Sequence, residues 1–307
     1  MNFYLLCAAL LWCASAQAAE TYVIVRVVAA AEDSRDGECH GTGAVIDERR
    51  GLILTCWHTF QTARQRFGGY TPHVDIYGAH IPKYRRVPAE IVAYDARADV
   101  AVLRVSPDEV DAAGTLAPCG HQPKRGATVF TWGAGDTGAP TWQKHRLVGS
   151  AGGFLLTSGE QAHGRSGGPL TDGETGWIIG IVTMSDDKAH QGLSVPIKEI
   201  CRVVQTCRAW RPPLYVWTAS WCGPCKRFWQ DYRTDPEFAS ALGERFQVIA
   251  VDYDKHPLGR ALYGIRTVPT FILWGGGRIE GYQGQDDLAQ RLNLAWEPVP
   301  EEPPKRE

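Results

Sequence analysis

Beyond residue 18 the chain has no apolar run long enough to cross a bilayer. It has no block of like charge either: 32 Lys and Arg stand against 34 Asp and Glu for a formal net charge of −2, so no nucleic-acid or polyanion partner is expected. No internal repeat is visible, which removes solenoids and propellers. A single Cys-x-x-Cys occurs, with no second one and no His pair at finger spacing, so no metal site is expected. No cofactor motif is read either.

What is present starts with an apolar stretch from Phe3 to Ala14, followed by the small-x-small step Ala16-Gln17-Ala18. This predicts a secretory signal over residues 1–18 with a mature start near Ala19, hence a secreted or periplasmic protein with no stable membrane insertion after cleavage. No Lys or Arg precedes the run, and a buried N-terminal helix is the alternative. Export makes the cysteines disulfide candidates. Beyond the signal they stand at 39, 56, 119, 201, 207, 222 and 225, an odd number that leaves one unpaired within the chain.

The remaining length suits two domains. From Thr21 to about Val195 short runs rich in Val, Ile and Thr recur between Gly, Asp and Pro clusters, among them Leu52 to Thr55, Val100 to Val105 and Trp177 to Met184. Such a texture predicts an all-β barrel or sandwich uninterrupted by a long helix. After Pro196 the period changes: a helix over Ile197 to Trp210, a break at Pro212-Pro213, then alternating strands and helices, the signature of an α/β unit. The expected organisation is a β-rich domain over 19–211, an α/β domain over 212–297 and a disordered Pro- and Glu-rich tail over 298–307.

Three separated pieces of the β-rich part fit one chemistry. Gly164-Arg165-Ser166-Gly167-Gly168-Pro169-Leu170 sets a serine among glycines, where backbone N–H groups can face a developing oxyanion. A serine hydroxyl needs a base to take its proton, and the base needs an acid to fix its tautomer. Thr55-Cys56-Trp57-His58 closes an apolar strand upstream, and Asp99 opens another at Val100-Ala101-Val102-Leu103. With Gly41-Thr42-Gly43-Ala44-Val45-Ile46, these segments resemble the chymotrypsin-like serine proteases, in particular the HtrA-like branch. The resemblance covers roughly Thr21 to Ile200 and implies a double β-barrel that hydrolyses peptide bonds. It implies His58 as general base, Asp99 as its acid, Ser166 as nucleophile and the N–H groups of Gly164 and Ser166 as oxyanion hole, with the first three in one hydrogen-bonded unit. Asp95 competes for the acid role but does not open the apolar strand. The glycines also match the nucleophile elbow of α/β-hydrolases, whose acid and histidine would have to follow the serine. No zymogen activation site and no peptide-binding domain of the HtrA kind is seen. Glu160, six residues before Ser166, stands where a trypsin-type pocket acid selects Lys or Arg, or is a solvated loop residue.

In the C-terminal part, Trp221-Cys222-Gly223-Pro224-Cys225-Lys226 follows an apolar strand and opens a helix, and the helix N-terminus lowers a thiol pKa. Tyr263-Gly264-Ile265-Arg266-Thr267-Val268-Pro269-Thr270 follows about 40 residues later. Together these resemble thioredoxin, implying an attacking Cys222, a resolving Cys225, a cis-proline at Pro269 and an external thiol as electron donor. Val216 stands where thioredoxins carry a buried Asp, and Ala250 where they carry its Lys partner. The first strand and helix of that fold also lack room in the sequence.

Cys39 and Cys56 flank a predicted hairpin, and a bridge near His58 is expected between them. Cys201 and Cys207 cannot pair within one helix, where six residues rise about 9 Å, so one of them is expected to pair with Cys119. The reading is a fold of an all-β double barrel followed by an α/β domain, acting as an exported serine endopeptidase on protein or peptide substrates. The alternative is a binding module that holds clients without turnover.

Overall fold

The computed structural model describes residues 24–31, 37–77, 84–133, 140–186, 188–207, 211–274 and 277–294. The expected signal over 1–18 and tail over 298–307 lie outside them. The chain divides into two compact units, Met1–Trp210 and Arg211–Glu307.

The first unit holds two antiparallel sheets. Strands β1 (Ile24–Ala31), β2 (Glu38–Asp47), β3 (Leu52–Thr55), β4 (Tyr70–Ile76), β5 (Arg85–Pro88), β6 (Glu90–Asp95) and β7 (Val100–Arg104) form a seven-stranded sheet in the order β5-β4-β1-β2-β3-β7-β6. β8 (Thr128–Gly133), β9 (Thr141–Ala151), β10 (Phe154–Ser158), β11 (Pro169–Asp172), β12 (Ile178–Asp186) and β13 (Gln191–Pro196) close into a barrel, β10-β13-β12-β11-β8-β9. β3 is buried at every position, which is why it reads as a continuous apolar run and not as an alternation. Val25, Val27, Ile53, Phe60, Val74 and Leu103 meet in the core behind the seven-stranded sheet.

One helix interrupts the β region against expectation: α1 (His58–Phe67) follows β3 after Cys56 and Trp57. His58 thus begins a helix instead of ending a strand. Only Thr59, Phe60 and Ala63 of this otherwise largely polar helix are buried, a stripe too narrow to stand out in sequence. A second helix, α2 (Ile197–Val204), ends before the expected Trp210.

Cysteine pairing corrects one expectation. Cys119 and Cys201 form a disulfide, but Cys39 and Cys56 are both free and buried. Register explains it: β2 and β3 pair Gly43 with Thr55, so Cys56 continues opposite Thr42, three residues from Cys39. At about 3.3 Å per residue that offset exceeds the Cα span of a disulfide.

The second unit is a four-stranded sheet, β15-β14-β16-β17, built from β14 (Pro213–Thr218), β15 (Gln247–Asp252), β16 (Thr270–Leu273) and β17 (Arg278–Glu280). β14 and β15 run parallel; the other pairs are antiparallel. Helices α3 (Gly223–Thr234), α4 (Pro236–Arg245), α5 (Pro257–Leu262) and α6 (Gln285–Leu292) complete it. Asp235 accepts from the N–H groups of Glu237 and Phe238 at 3.0 and 2.9 Å and so starts α4, with Pro236 in its first turn. Phe228, Phe238, Phe271, Leu242 and Leu288 fill the core. Among the described residues no helix is long and apolar enough to cross a membrane.

Candidate active site

In the first unit, Asp99 sits in the tight turn between β6 and β7 with a left-handed backbone, φ 55°, a conformation that Asp tolerates better than most residues. From there its carboxylate reaches the N-terminus of α1. Oδ1 accepts from the His58 backbone N–H at 2.7 Å, and Oδ2 accepts from His58 Nδ1 at 2.7 Å. Asp99 therefore caps the helix from outside while orienting the ring of its first residue. With Nδ1 committed to Asp99, Nε2 is the ring nitrogen left for another partner. Burial works against the Asp99 charge, but the bonds from His58 and Thr183 outweigh it and hold the pKa below the ordinary carboxylate value. Burial also opposes a charge on His58, yet the bonds with Asp99 and Cys56 hold its pKa up at about 10. Asp95 is elsewhere: its Oδ1 accepts from the N–H groups of Arg97 and Ala98, an ordinary turn contact.

Ser166 lies on the loop before β11. Gly167 follows at φ +86°, and a Cβ there would sit 2.2 Å from the Thr42 carbonyl oxygen, so only glycine lets this loop close on β2. Thr42 fastens it: its N–H donates to the Ser166 carbonyl at 2.7 Å, and its hydroxyl donates to the Gly164 carbonyl at 2.6 Å. Among the described residues, the N–H groups of Gly164 and Ser166 meet no acceptor. The Ser166 hydroxyl donates to the Thr183 carbonyl at 3.0 Å, and His58 Nε2 lies 3.6 Å from Cys56 Sγ. Thus His58 and Asp99 are joined, while the hydrogen bond between Ser166 and His58 is not made in this conformation.

Sequence reasoning missed two residues here. Thr183, on β12, donates its hydroxyl to Asp99 and its carbonyl receives Ser166, so one residue touches both halves of the site. A polar side chain inside the apolar run Trp177 to Met184 was the available signal. Arg165 is 4% exposed although charged. Its guanidinium donates to the carbonyls of Thr131 and Thr141, each at 3.2 Å, and to the Thr141 hydroxyl at 2.5 Å. That ties the residue before Ser166 to β8 and β9. Glu160 is half exposed and pairs with His190 at 2.5 Å, which makes it a solvated loop residue.

In the second unit, Cys222 caps α3: its sulfur accepts from the Cys225 N–H at 3.1 Å, with Pro224 in the first turn. Cys222 and Cys225 are joined in a disulfide and buried against Ala219, Tyr253 and Val268. The Val268-Pro269 peptide is cis, and the Val268 carbonyl oxygen lies 3.4 Å from Cys222 Sγ. Trp221 stands exposed beside the pair, its indole N–H donating to Asp254 at 2.9 Å. Val216 is buried opposite Ala250, so the sheet beneath the disulfide carries no carboxylate at that step.

Comparison with known proteins agrees with both units. The model of a trypsin-like peptidase domain matches residues 41–181, and that of thioredoxin matches residues 206–294. A thioredoxin of Alicyclobacillus acidocaldarius subsp. acidocaldarius is 34% identical over 86 residues, covering 27% of this chain and 79% of that protein. Among solved structures, a serine endoprotease from Yersinia pestis aligns with a TM-score of 0.51 at 22% identity, over 66% of this chain and 70% of that one. A protease from M. tuberculosis in its active form aligns with a TM-score of 0.51 at 22% identity, over 64% and 85%. At that identity the two structures speak for the fold, a chymotrypsin-like β architecture.

Proposed function

Because the chain belongs to the thioredoxin family through its C-terminal unit and carries a trypsin-like peptidase domain before it, we propose that it is an exported serine endopeptidase with an attached thiol-disulfide exchange domain. The observation that carries the protease reading is the double grip of Asp99 on His58, beside a glycine-flanked Ser166 whose neighbouring N–H groups are open. In this reading a peptide carbonyl enters over Ser166. His58 Nε2 takes the hydroxyl proton as Oγ attacks, and Asp99 stabilises the imidazolium. The N–H groups of Gly164 and Ser166 receive the negative oxygen, and His58 returns its proton to the leaving amine. Water then repeats the sequence to release the acyl group.

The exchange domain would act on the same clients. A barrel that needs an extended peptide cannot cut a loop still pinned by a crosslink. The reduced Cys222 thiolate attacks a client disulfide, forming a mixed disulfide and releasing one client thiolate; Cys225 then attacks Cys222 and releases the other. The pair ends oxidised, as it stands here, and an external dithiol must supply two electrons to restart it. Carriage on one chain raises the local concentration toward the millimolar range. The apolar leader and the Cys119–Cys201 bridge support export to an oxidising compartment.

The unmade bond between Ser166 and His58 favours a second reading, a barrel that binds clients without cleaving them. Hydrolysis of an unfolded protein substrate separates the two. Ser166→Ala and His58→Ala should each remove nearly all activity, because the residues act as a unit; a variant keeping half would overturn the assignment. For the second domain, the substrate is a disulfide-bonded protein supplied with a dithiol, compared between wild type and Cys222→Ser/Cys225→Ser. Equal cleavage by both, on a substrate that is cut once chemically reduced, would rule out the coupling.

A further inference from the structure

Cys56 is a nucleophilic side chain that the proposed reaction does not use, and it touches the atom on which that reaction depends. It follows β3, is fully buried, and places Sγ 3.6 Å from His58 Nε2 and 3.3 Å from the Thr59 hydroxyl. Nε2 carries one lone pair or one proton and can serve one partner at a time. With Nδ1 committed to Asp99 at 2.7 Å, one position remains on the ring, and in the proposed reaction that position must receive the Ser166 hydroxyl. In the structure the sulfur holds it, and the Ser166 hydroxyl is turned to the Thr183 carbonyl at 3.0 Å.

We propose that Cys56 is a positioning residue that holds the resting site open: its sulfur occupies His58 Nε2 and keeps base and nucleophile apart until substrate binds. The inference rests on the proposed protease reading. Closing the site exchanges two contacts for one: Nε2 leaves Cys56 Sγ, and the Ser166 hydroxyl leaves the Thr183 carbonyl and turns to Nε2. No covalent bond changes, and any proton shared between Sγ and Nε2 returns to sulfur before the ring accepts the one from Ser166. The Thr59 hydroxyl then remains as partner for the sulfur.

The ionisable side chains that contact His58 among the described residues are Cys56, from the end of β3, and Asp99, from the turn before β7. The hydroxyls of Thr59 and Thr183 complete the chain of contacts and do not titrate in the accessible range. Asp99 is common to the resting and closed arrangements, so the contact that distinguishes them is the one with sulfur. Cys56 is one cause of the raised His58 pKa, and a base that stays protonated at neutral pH cannot accept the Ser166 proton.

The test compares wild type, Cys56→Ser and Cys56→Ala in the full chain. The Ser variant keeps a side-chain oxygen in the buried space where Ala leaves a gap. Two quantities are measured: the titration midpoint of the His58 ring by NMR, assigned with His58→Gln, and the rate at which a fluorophosphonate labels Ser166 at pH 7. Losing the sulfur should lower the His58 midpoint by about one pH unit or more and speed labelling several-fold. An unchanged midpoint in Cys56→Ala would overturn the contact, and a lowered midpoint with unchanged labelling would overturn its gating role. The ring titration reads Cys56 whether or not the protein is a protease. Failure of wild type to label above a Ser166→Ala control would instead count against the protease reading.

Discussion

Thr183 joins the two halves of the site, and replacing it by valine removes one atom's function while keeping its shape. The hydroxyl donates to Asp99 Oδ2, and the residue is 2% exposed, so no water can stand in for it. A hydrogen bond to a charged acceptor contributes about 1.5–3 kcal/mol. Asp99 keeps two donors from His58, at 2.7 Å each, which places the loss at the low end. About 1.5 kcal/mol corresponds to roughly a tenfold fall in kcat/KM. The fall should lie in kcat, because Thr183→Val leaves the carbonyl that faces Ser166 in place. Steady-state hydrolysis of a peptide ester, measured well below the unfolding transition, reads the effect, and Thr183→Ser should restore the rate. A Thr183→Val enzyme within twofold of wild type would show that the contact with Asp99 does not support the base.

Two further outcomes follow from the geometry. With its pKa held up at about 10, protonated His58 contributes stability that is complete below its ordinary value of 6.5 and is lost as pH rises through about 10. The stability gap between wild type and His58→Gln should therefore be widest in mildly acidic solution and narrow toward alkaline pH; urea midpoints across the range check this, and a gap that widens with pH would contradict it. The Cys119–Cys201 disulfide closes a loop spanning 82 positions, so Cys119→Ser/Cys201→Ser should lose about 2–4 kcal/mol of stability in denaturant titrations. Unchanged stability would mean that the bridge does not restrain the unfolded chain.

Both units were legible where function leaves a local mark. Val100-Ala101-Val102-Leu103 and Leu52 to Thr55 are continuous apolar runs because their strands are buried on both faces. Cys222-Gly223-Pro224-Cys225 announces a helix start because the capping sulfur and the proline both belong there. Elements whose stability comes from distant contacts were not legible. β9, Thr141–Ala151, carries exposed and buried residues without a clean alternation, and α1 shows only a narrow apolar stripe. α4 could have been found, since Thr234-Asp235-Pro236-Glu237 is a helix-start signal. Thr183 reaches Asp99 across 84 positions, a pairing that no spacing reveals because β12 and the turn before β7 meet only in the folded unit, and Cys56 is only two residues from His58 but its sulfur is aimed at the ring by the fold.

The central claim is that Ser166 is a nucleophile activated by His58 and Asp99. Its most direct test is intact and peptide mass spectrometry of the protein after reaction with a fluorophosphonate. The account predicts one phosphonyl adduct per chain, carried by the peptide that contains Ser166, absent from Ser166→Ala and formed far more slowly in His58→Ala. An adduct on another residue, or equal labelling of wild type and Ser166→Ala, would contradict it.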